Sequence, residues 1–375
     1  MDPAFDDLEH TTVSAKNLKA RPAVTLGHYL VGIEGREAGK LHEVGPESLT
    51  IGREARQTLV FADDSEVSRL HARVSLVDGA IVVEDLGSTN GTFVNAKRIT
   101  SPVTLREGNV LRVGRQLLKY ERRDRHEVER AQELSRDLRR ASEYVHSMLS
   151  PPLQSGPVRA EWSFVPSAQL GGDAFGYDWL DSETFVLYLI DVSGHGVGAA
   201  MHSVTVLNVL RQRALPAVDF AKPADVLSSL NERFQMDSHN GMYFTMWYGV
   251  YRTTDRTLAF SAAGHHPAYV VHSDREAAHA VGMSSLMIGV MPDDSYEAQV
   301  TTVPPGSVLY LFSDGVFEVA TKDDRVWTLS EFLPFLLHQP VAGVSEPERL
   351  YRIVRETAKP GLLDDDFSLV AVTFQ

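Results

Sequence analysis

Cysteine is absent from the 375-residue chain. Its absence removes disulfides, thiolate zinc sites and every phosphoryl-transfer mechanism that relies on a cysteine nucleophile, leaving metal-activated water or an aspartyl nucleophile for hydrolysis. Long apolar runs are missing as well. None approaches the ~20 residues that cross a bilayer, and the N-terminus lacks the basic flank and apolar core of a secretion signal, so a cytoplasmic protein with no membrane partner is expected. Basic residues are outnumbered, 36 against 50 acidic, for a formal net charge of -14. Such a balance disfavours nonspecific binding to nucleic acid, and no nucleic-acid partner is expected. A glycine-rich phosphate loop with lysine is also lacking, which argues against a nucleotide cyclase or polymerase-like enzyme using two metals.

What is present suffices for two cores: 43% of the residues are hydrophobic. Residues 1–24 are polar and aperiodic and read as a flexible tail. Over 25–120, β-type runs at 48–51, 58–61, 72–77, 80–83, 91–94, 109–113 and 116–120 are separated by turn signals at the spacing of a β-sandwich. The segment 121–149 has no glycine or proline and predicts one long helix, stopped by Pro151 and Pro152. Its apolar positions Ala131, Leu134, Leu138, Ala141, Val145 and Met148 form a short heptad seam. Two readings stay open: a homodimer through residues 121–150, or a helix docked on its own domain. Over 155–375, clustered strand-like runs with helices at 198–215 and 224–236 predict an α+β domain whose helices cover a largely antiparallel sheet sandwich.

Four acidic loops punctuate that second half: Gly171-Gly172-Asp173, the run Asp191-Val192-Ser193-Gly194-His195-Gly196, Ser313-Asp314-Gly315, and Asp364-Asp365-Asp366. Apolar runs at 185–190, 308–312 and 367–372 adjoin them, so strand ends would deliver the acids to one edge of a sheet. Any one loop alone reads as a turn; together they offer oxygen-only ligands suited to Mg²⁺ or Mn²⁺. Two such ions, about 3.5–4 Å apart in known sites, can activate water and clamp a phosphoryl group, which makes phosphate-ester hydrolysis the leading chemistry.

In the first half stand Gly52-Arg53, Ser68-Arg69-Leu70-His71 and Asp85-Leu86-Gly87-Ser88-Thr89-Asn90-Gly91-Thr92. Their order and spacing resemble the forkhead-associated (FHA) domain, which implies an all-β sandwich whose end loops bind phosphothreonine proteins. By position, Arg53 and Ser68 would hold the phosphate, with Arg69, Thr89 and Asn90 around the peptide, and His71 would be structural. Arginine suits the task because its guanidinium makes charge-assisted forks with phosphate oxygens. The pattern departs at Asn95-Ala96, where the family usually has Asn-Gly.

The acidic loops, together with Ala263-Gly264-His265-His266-Pro267, resemble in order the SpoIIE type of bacterial PPM serine/threonine phosphatase from about residue 158 onward. That resemblance implies an α-β-β-α sandwich with two Mn²⁺ or Mg²⁺ ions in a cleft at one end. Asp191 would bridge both metals, Asp314 and Asp365 would bind one, the carbonyl of Val192 the other, and Asp173 would act through a bound water. The role of Asp366 is left open, as is that of His195, which either protonates the leaving serine oxygen or only shapes its turn; His265 and His266 are expected to be architectural. No arginine is evident in the place of the substrate-phosphate arginine of eukaryotic relatives, and the stretch from Gly171 to Asp178 carries extra residues. The family also implies a phosphoserine substrate on a STAS-domain anti-sigma-factor antagonist, with the entering helix a regulatory element moved by FHA binding. The alternative is an FHA scaffold that recruits phosphorylated partners and carries a weak or vestigial catalytic domain.

Overall fold

The computed structural model describes residues 25–34, 37–239 and 241–375, which divide into two units between Ser135 and Arg136. The tail expected over 1–24 lies outside the described residues.

Alternating side chains make the first unit a β-sandwich. Its strands are β1 (Leu26–Gly32), β2 (Leu41–Glu43), β3 (Leu49–Gly52), β4 (Leu59–Val60), β5 (Ala72–Val77), β6 (Ala80–Asp85), β7 (Thr92–Val94), β8 (Lys97–Arg98), β9 (Val103–Leu105), β10 (Val110–Val113) and β11 (Gln116–Asp124). They form one sheet in the order β2-β1-β11-β10-β7-β8 and another in the order β4-β3-β5-β6-β9. Leu30, Leu111 and Leu118 of the first meet Ile51, Val74, Ile81 and Val83 of the second in a core that excludes water. Each expected β-type run overlaps a strand. Strand β1 was not among them: its glycines dilute the alternation, and it is defined by pairing with β11 from Leu26↔Asp124 to Gly32↔Leu118.

The same ladder corrects the expected start of the long helix. Residues 121–124 belong to β11, because β1 offers their backbone groups partners, and helix α1 covers Arg125–Met148. At the switch, Asp124 Oδ1 accepts from the His126 amide at 3.0 Å.

In the second unit the strands are β12 (Val158–Val165), β13 (Ala174–Trp179), β14 (Thr184–Val192), β15 (Phe244–Arg252), β16 (Thr257–Ala263), β17 (Ala268–Val271), β18 (Ala278–Val281), β19 (Gln299–Thr302), β20 (Val308–Phe312) and β21 (Phe367–Phe374). Two antiparallel sheets result, β12-β21-β20-β17-β18 and β13-β14-β15-β16-β19. Helices α2 (Val197–Arg211) and α3 (Pro223–Arg233) cover the second sheet, and α4 (Leu329–Phe332) and α5 (Glu346–Thr357) the first. Strand β14 shows why the layers form. Phe185, Leu187 and Leu189 point into the space between the sheets, while Val186, Tyr188, Ile190 and Val192 point at α2 and α3. A strand buried on both faces must read as a continuous apolar run. Helix α2 stops earlier than expected: Arg213 takes a left-handed φ of 51° and Pro216 follows. Helix α3 likewise ends at Arg233, and Met236–Ser238 is a 3₁₀ turn.

The seam of α1 is divided in use. Val145 and, less completely, Leu138 pack on Leu170, Ala200 and Val204, while Met148 joins the core under α2. Arg211 Nη1 donates to the Met148 carbonyl at 2.6 Å. Leu134, by contrast, is 60% exposed. The docked reading therefore holds for the helix's last turns.

The β7–β8 hairpin turns through Asn95 (φ 48°) and Ala96 (φ 64°), the signs of a type I′ turn. Alanine pays for left-handed backbone that glycine adopts freely. Ala96→Gly is expected to stabilise the first unit by about 1 kcal/mol, read as a raised denaturant midpoint for that unit's unfolding in the whole chain.

Candidate functional site

Strand pairing brings the acidic loops of each sheet together. Strand β13 begins just after Asp173 beside the end of β14, with Ala174 opposite Ile190, so Asp173 and Asp191 share one edge. In the other sheet, β20 ends before Asp314 where β21 begins after Asp366, with Phe312 opposite Leu369. The loops then pack closely enough to exclude side chains. A Cβ on Gly172 would lie 2.9 Å from the Val192 carbonyl oxygen, and one on Gly315 would lie 2.3 Å from the Asp366 carbonyl oxygen. Gly194 and Gly196 adopt positive φ, 87° and 85°, to turn the chain from β14 into α2.

The carboxylates stand within each other's field. Asp173 is 3% exposed, its Oδ2 has no hydrogen-bond partner, and burial followed by the charges of Asp191 and Asp366 holds its carboxyl well above the usual range. Asp191 is pushed up to about 7 by burial, then by Asp314, Asp365 and Asp366. Burial and then Glu318 raise Asp314. Burial raises Asp365, with Asp314 and Asp366 adding to it and His195 opposing. Asp364 faces solvent. Among the described residues, no three carboxylate or imidazole side chains close on a single point as a finished ion cage. The group nonetheless suits hard divalent cations: its donors are oxygens, one buried carboxylate oxygen is orphaned, and like charges converge that a cation would compensate. Asp191, Asp314, Asp365 and the Val192 carbonyl would hold such ions, with Asp173 beside them.

Sequence reasoning missed two members of this neighbourhood. Glu318, whose amide donates to the Asp314 carbonyl at 2.7 Å, adds a charge one turn after the aspartate. Ser167 binds the Asp366 carboxylate across the fold, and nothing local in sequence marks it. The residues after Asp173 lie inside β13, where Gly176 makes room for the Tyr188 hydroxyl. His265 and His266 are pushed down to about 3 and about 4, chiefly by burial, and their Nδ1 atoms lie 2.8 and 2.9 Å from the carbonyls of His266 and Pro267. Both are held neutral: His265 is buried and packs on His266, which is half-buried and packs on Phe312 and Phe317.

At the loop end of the first unit, Arg53 and Ser68 are neighbours through a backbone bond, Arg53 N to Ser68 O at 2.9 Å. The Ser68 hydroxyl accepts from Thr89 N at 3.0 Å, and the Ser68 amide donates to His71 Nδ1 at 3.1 Å. His71 is fully buried, and its Nε2 lies 3.2 Å from the Gly91 carbonyl, so it ties both loops together. Asn90 spends its side-chain amide on the Glu66 carbonyl at 2.8 Å. Arg53, Arg69 and Thr89 are exposed. Arg98, lying over Gly91, adds an arginine that sequence reasoning did not single out.

An α-β-β-α sandwich with acids at one strand edge, joined to a β-sandwich with arginine and hydroxyl groups at its loop end, defines a phosphatase-like unit fused to a phosphopeptide-reader fold. Comparison with known proteins agrees. Residues 181–375 match the family Stage II sporulation protein E (SpoIIE), and residues 49–114 match the FHA domain. The chain belongs to the SpoIIE family and carries an FHA domain. It is similar to phosphoserine phosphatase RsbU of Bacillus subtilis, 26% identical over 159 residues that make 42% of this chain and 46% of that protein. It is also similar to FHA domain-containing protein FhaB of Mycobacterium tuberculosis, 38% identical over 98 residues, 26% of this chain and 63% of that protein. The chain thus spans about half the length of the first and under two thirds of the second. Among solved structures, the SiaA-PP2C domain of Pseudomonas aeruginosa superposes with a TM-score of 0.56 at 19% identity, covering 65% of this chain and 98% of that one, which establishes a PP2C fold.

Two expectations follow. A carboxyl whose folded pKa is raised keeps its proton to higher pH than in the unfolded chain, so the folded state binds more protons and stability falls as pH rises from about 4 to about 7. Melting of the metal-free second unit should therefore fall between pH 5 and 7.5, Asp191→Asn should raise it by at least ~2 °C at pH 7.5, and Mn²⁺ should restore wild type there; a flat profile would contradict the repulsion. In the first unit, Arg53→Ala and Ser68→Ala should each weaken phosphothreonine-peptide binding by on the order of 1.5–3 kcal/mol, whereas His71→Ala should lower the unit's stability as well, measured by calorimetry and melting.

Proposed function

We propose that this chain is a divalent-cation-dependent phosphoprotein phosphatase that hydrolyses phosphoserine and is regulated by a phosphothreonine protein bound to its FHA domain. What carries the reading is the convergence of Asp173, Asp191, Asp314 and Asp365, far apart in sequence, within one another's electrostatic reach. When bound, two Mn²⁺ or Mg²⁺ ions would supply a nucleophilic water and neutralise phosphoryl oxygens. The protein's own part is to hold its oxygens at one sheet edge, with Gly172 letting its loop approach the Val192 carbonyl closely. His195 is exposed and within electrostatic reach of Asp365, which supports a role in protonating the leaving serine oxygen beside the alternative that it only shapes its turn. Membership of the family supports a STAS-type antagonist as the phosphoserine partner. Helix α1 supports the coupling: it leaves β11 at Arg125, and its last turns touch Leu170, next to Gly171-Gly172-Asp173, and Ala200, at the opening of α2. Its exposed positions Ala131, Leu134 and Ala141 are free to meet a second copy. No helix among the described residues is long and apolar enough to cross a membrane.

Manganese-dependent hydrolysis of p-nitrophenyl phosphate tests the chemistry. Asp191→Asn and Asp314→Asn should each lower the rate by roughly 10²–10³-fold. Absence of wild-type activity alongside intact peptide binding would leave the scaffold reading instead. Phosphothreonine peptide at saturation should change the rate; an unchanged rate rejects the coupling.

A further inference from the structure

Asp366 is buried, 3% exposed, although its neighbours Asp364 and Asp365 face solvent. Its Oδ1 accepts from Ser167 N at 2.8 Å and from Ser167 Oγ at 3.0 Å, and its Oδ2 accepts from Asp173 N at 3.3 Å. Its backbone carbonyl accepts from Ser313 Oγ at 3.0 Å, and that hydroxyl in turn accepts from Ser368 N at 3.3 Å. Glycines clear the way on both sides. A Cβ on Gly171 would lie 2.3 Å from Asp366 Oδ2, and one on Gly315 would lie 2.3 Å from Asp366 O. One residue thus fastens the loop 167–173, the loop 313–315 and the terminal acidic run.

Both carboxylate oxygens of Asp366 are engaged by protein donors, the arrangement of a group that orients ligands. We propose that Asp366 is the positioning residue of the acidic centre: it sets the spacing of Asp173, Asp314 and Asp365 by holding their loops and is not itself a ligand. Gly171 is part of the device, since any side chain there would push the carboxylate off its donors. The inference rests on the reading of the centre as a site for divalent cations.

Mn²⁺ binding to the full chain, measured by calorimetry together with metal-free melting, tests it on Asp366→Ala, Asp366→Asn, Gly171→Ala and the Gly171→Ala/Asp366→Ala pair. Asp366→Ala is expected to weaken binding ~10- to 100-fold with the number of ions per chain unchanged. Asp366→Asn keeps an acceptor oxygen for Ser167 and is expected to recover most of that loss. Gly171→Ala should weaken binding alone yet add little to Asp366→Ala, because the atoms it collides with are gone. An ion lost from the stoichiometry of both Asp366 variants would make the residue a ligand and overturn the proposal, as would wild-type affinity in Asp366→Ala or additive losses in the pair. Should Asp366→Ala fail to fold, Asp366→Asn and Gly171→Ala decide: wild-type-like binding for the first with weakened binding for the second supports the clamp, and any other pattern overturns it. If the wild type binds no Mn²⁺, the cation reading fails separately. Hydrogen exchange of the loop 167–173 in metal-free protein then decides the clamp, faster exchange in Gly171→Ala with near-wild-type exchange in Asp366→Asn supporting it and any other pattern overturning it.

Discussion

Carboxylates crowded at the edge of a low-dielectric core repel one another, and every other feature of the second unit works against that repulsion. Asp173 and Asp191 can be held together because their strands are adjacent in one sheet, and Asp314 and Asp365 because theirs are adjacent in the other. Each sheet is anchored by side chains buried on both faces, so the cost of gathering like charges is spread over a core too large to yield locally. Gly172 against Val192 and Gly315 against Asp366 let the loop backbones approach more closely than any side chain would allow. The repulsion is concentrated at the acidic loops, where a bound cation would relieve it.

The loop end of the first unit solves the opposite problem, holding positive and hydroxyl groups open to an anion. His71 does this from inside. Its imidazole spans the Ser68 amide and the Gly91 carbonyl, fixing two loops from the core so that Arg53, Arg69 and Thr89 stay exposed. A rigid sandwich with recognition groups on its loops is the usual division of labour in a binding module.

Helix α1 differs in kind from either site. Its residues up to Ser135 belong to the first unit and those from Arg136 to the second. Its second half packs on an apolar surface of the second unit through Val145 and Met148, next to two acidic loops.

The order of motifs along the chain determined a good deal. The two family resemblances, the two-sheet class and the strand-like runs were legible because each rests on local signals: continuous apolar runs, turn residues and short polar motifs of fixed spacing. Strand β1 was not legible, since it exists by virtue of a partner more than 80 residues away, and the end of β11 was mistaken for helix for the same reason. Nor was the division of the seam of α1, which depends on what surface Leu170 and Ala200 present. Within the triple aspartate, composition is symmetric and only tertiary structure distinguishes solvent-facing Asp364 from buried Asp366, held by Ser167 from 199 residues away. Local sequence decides what a segment can become; which of several identical side chains is buried is decided by the donors the rest of the fold places around it.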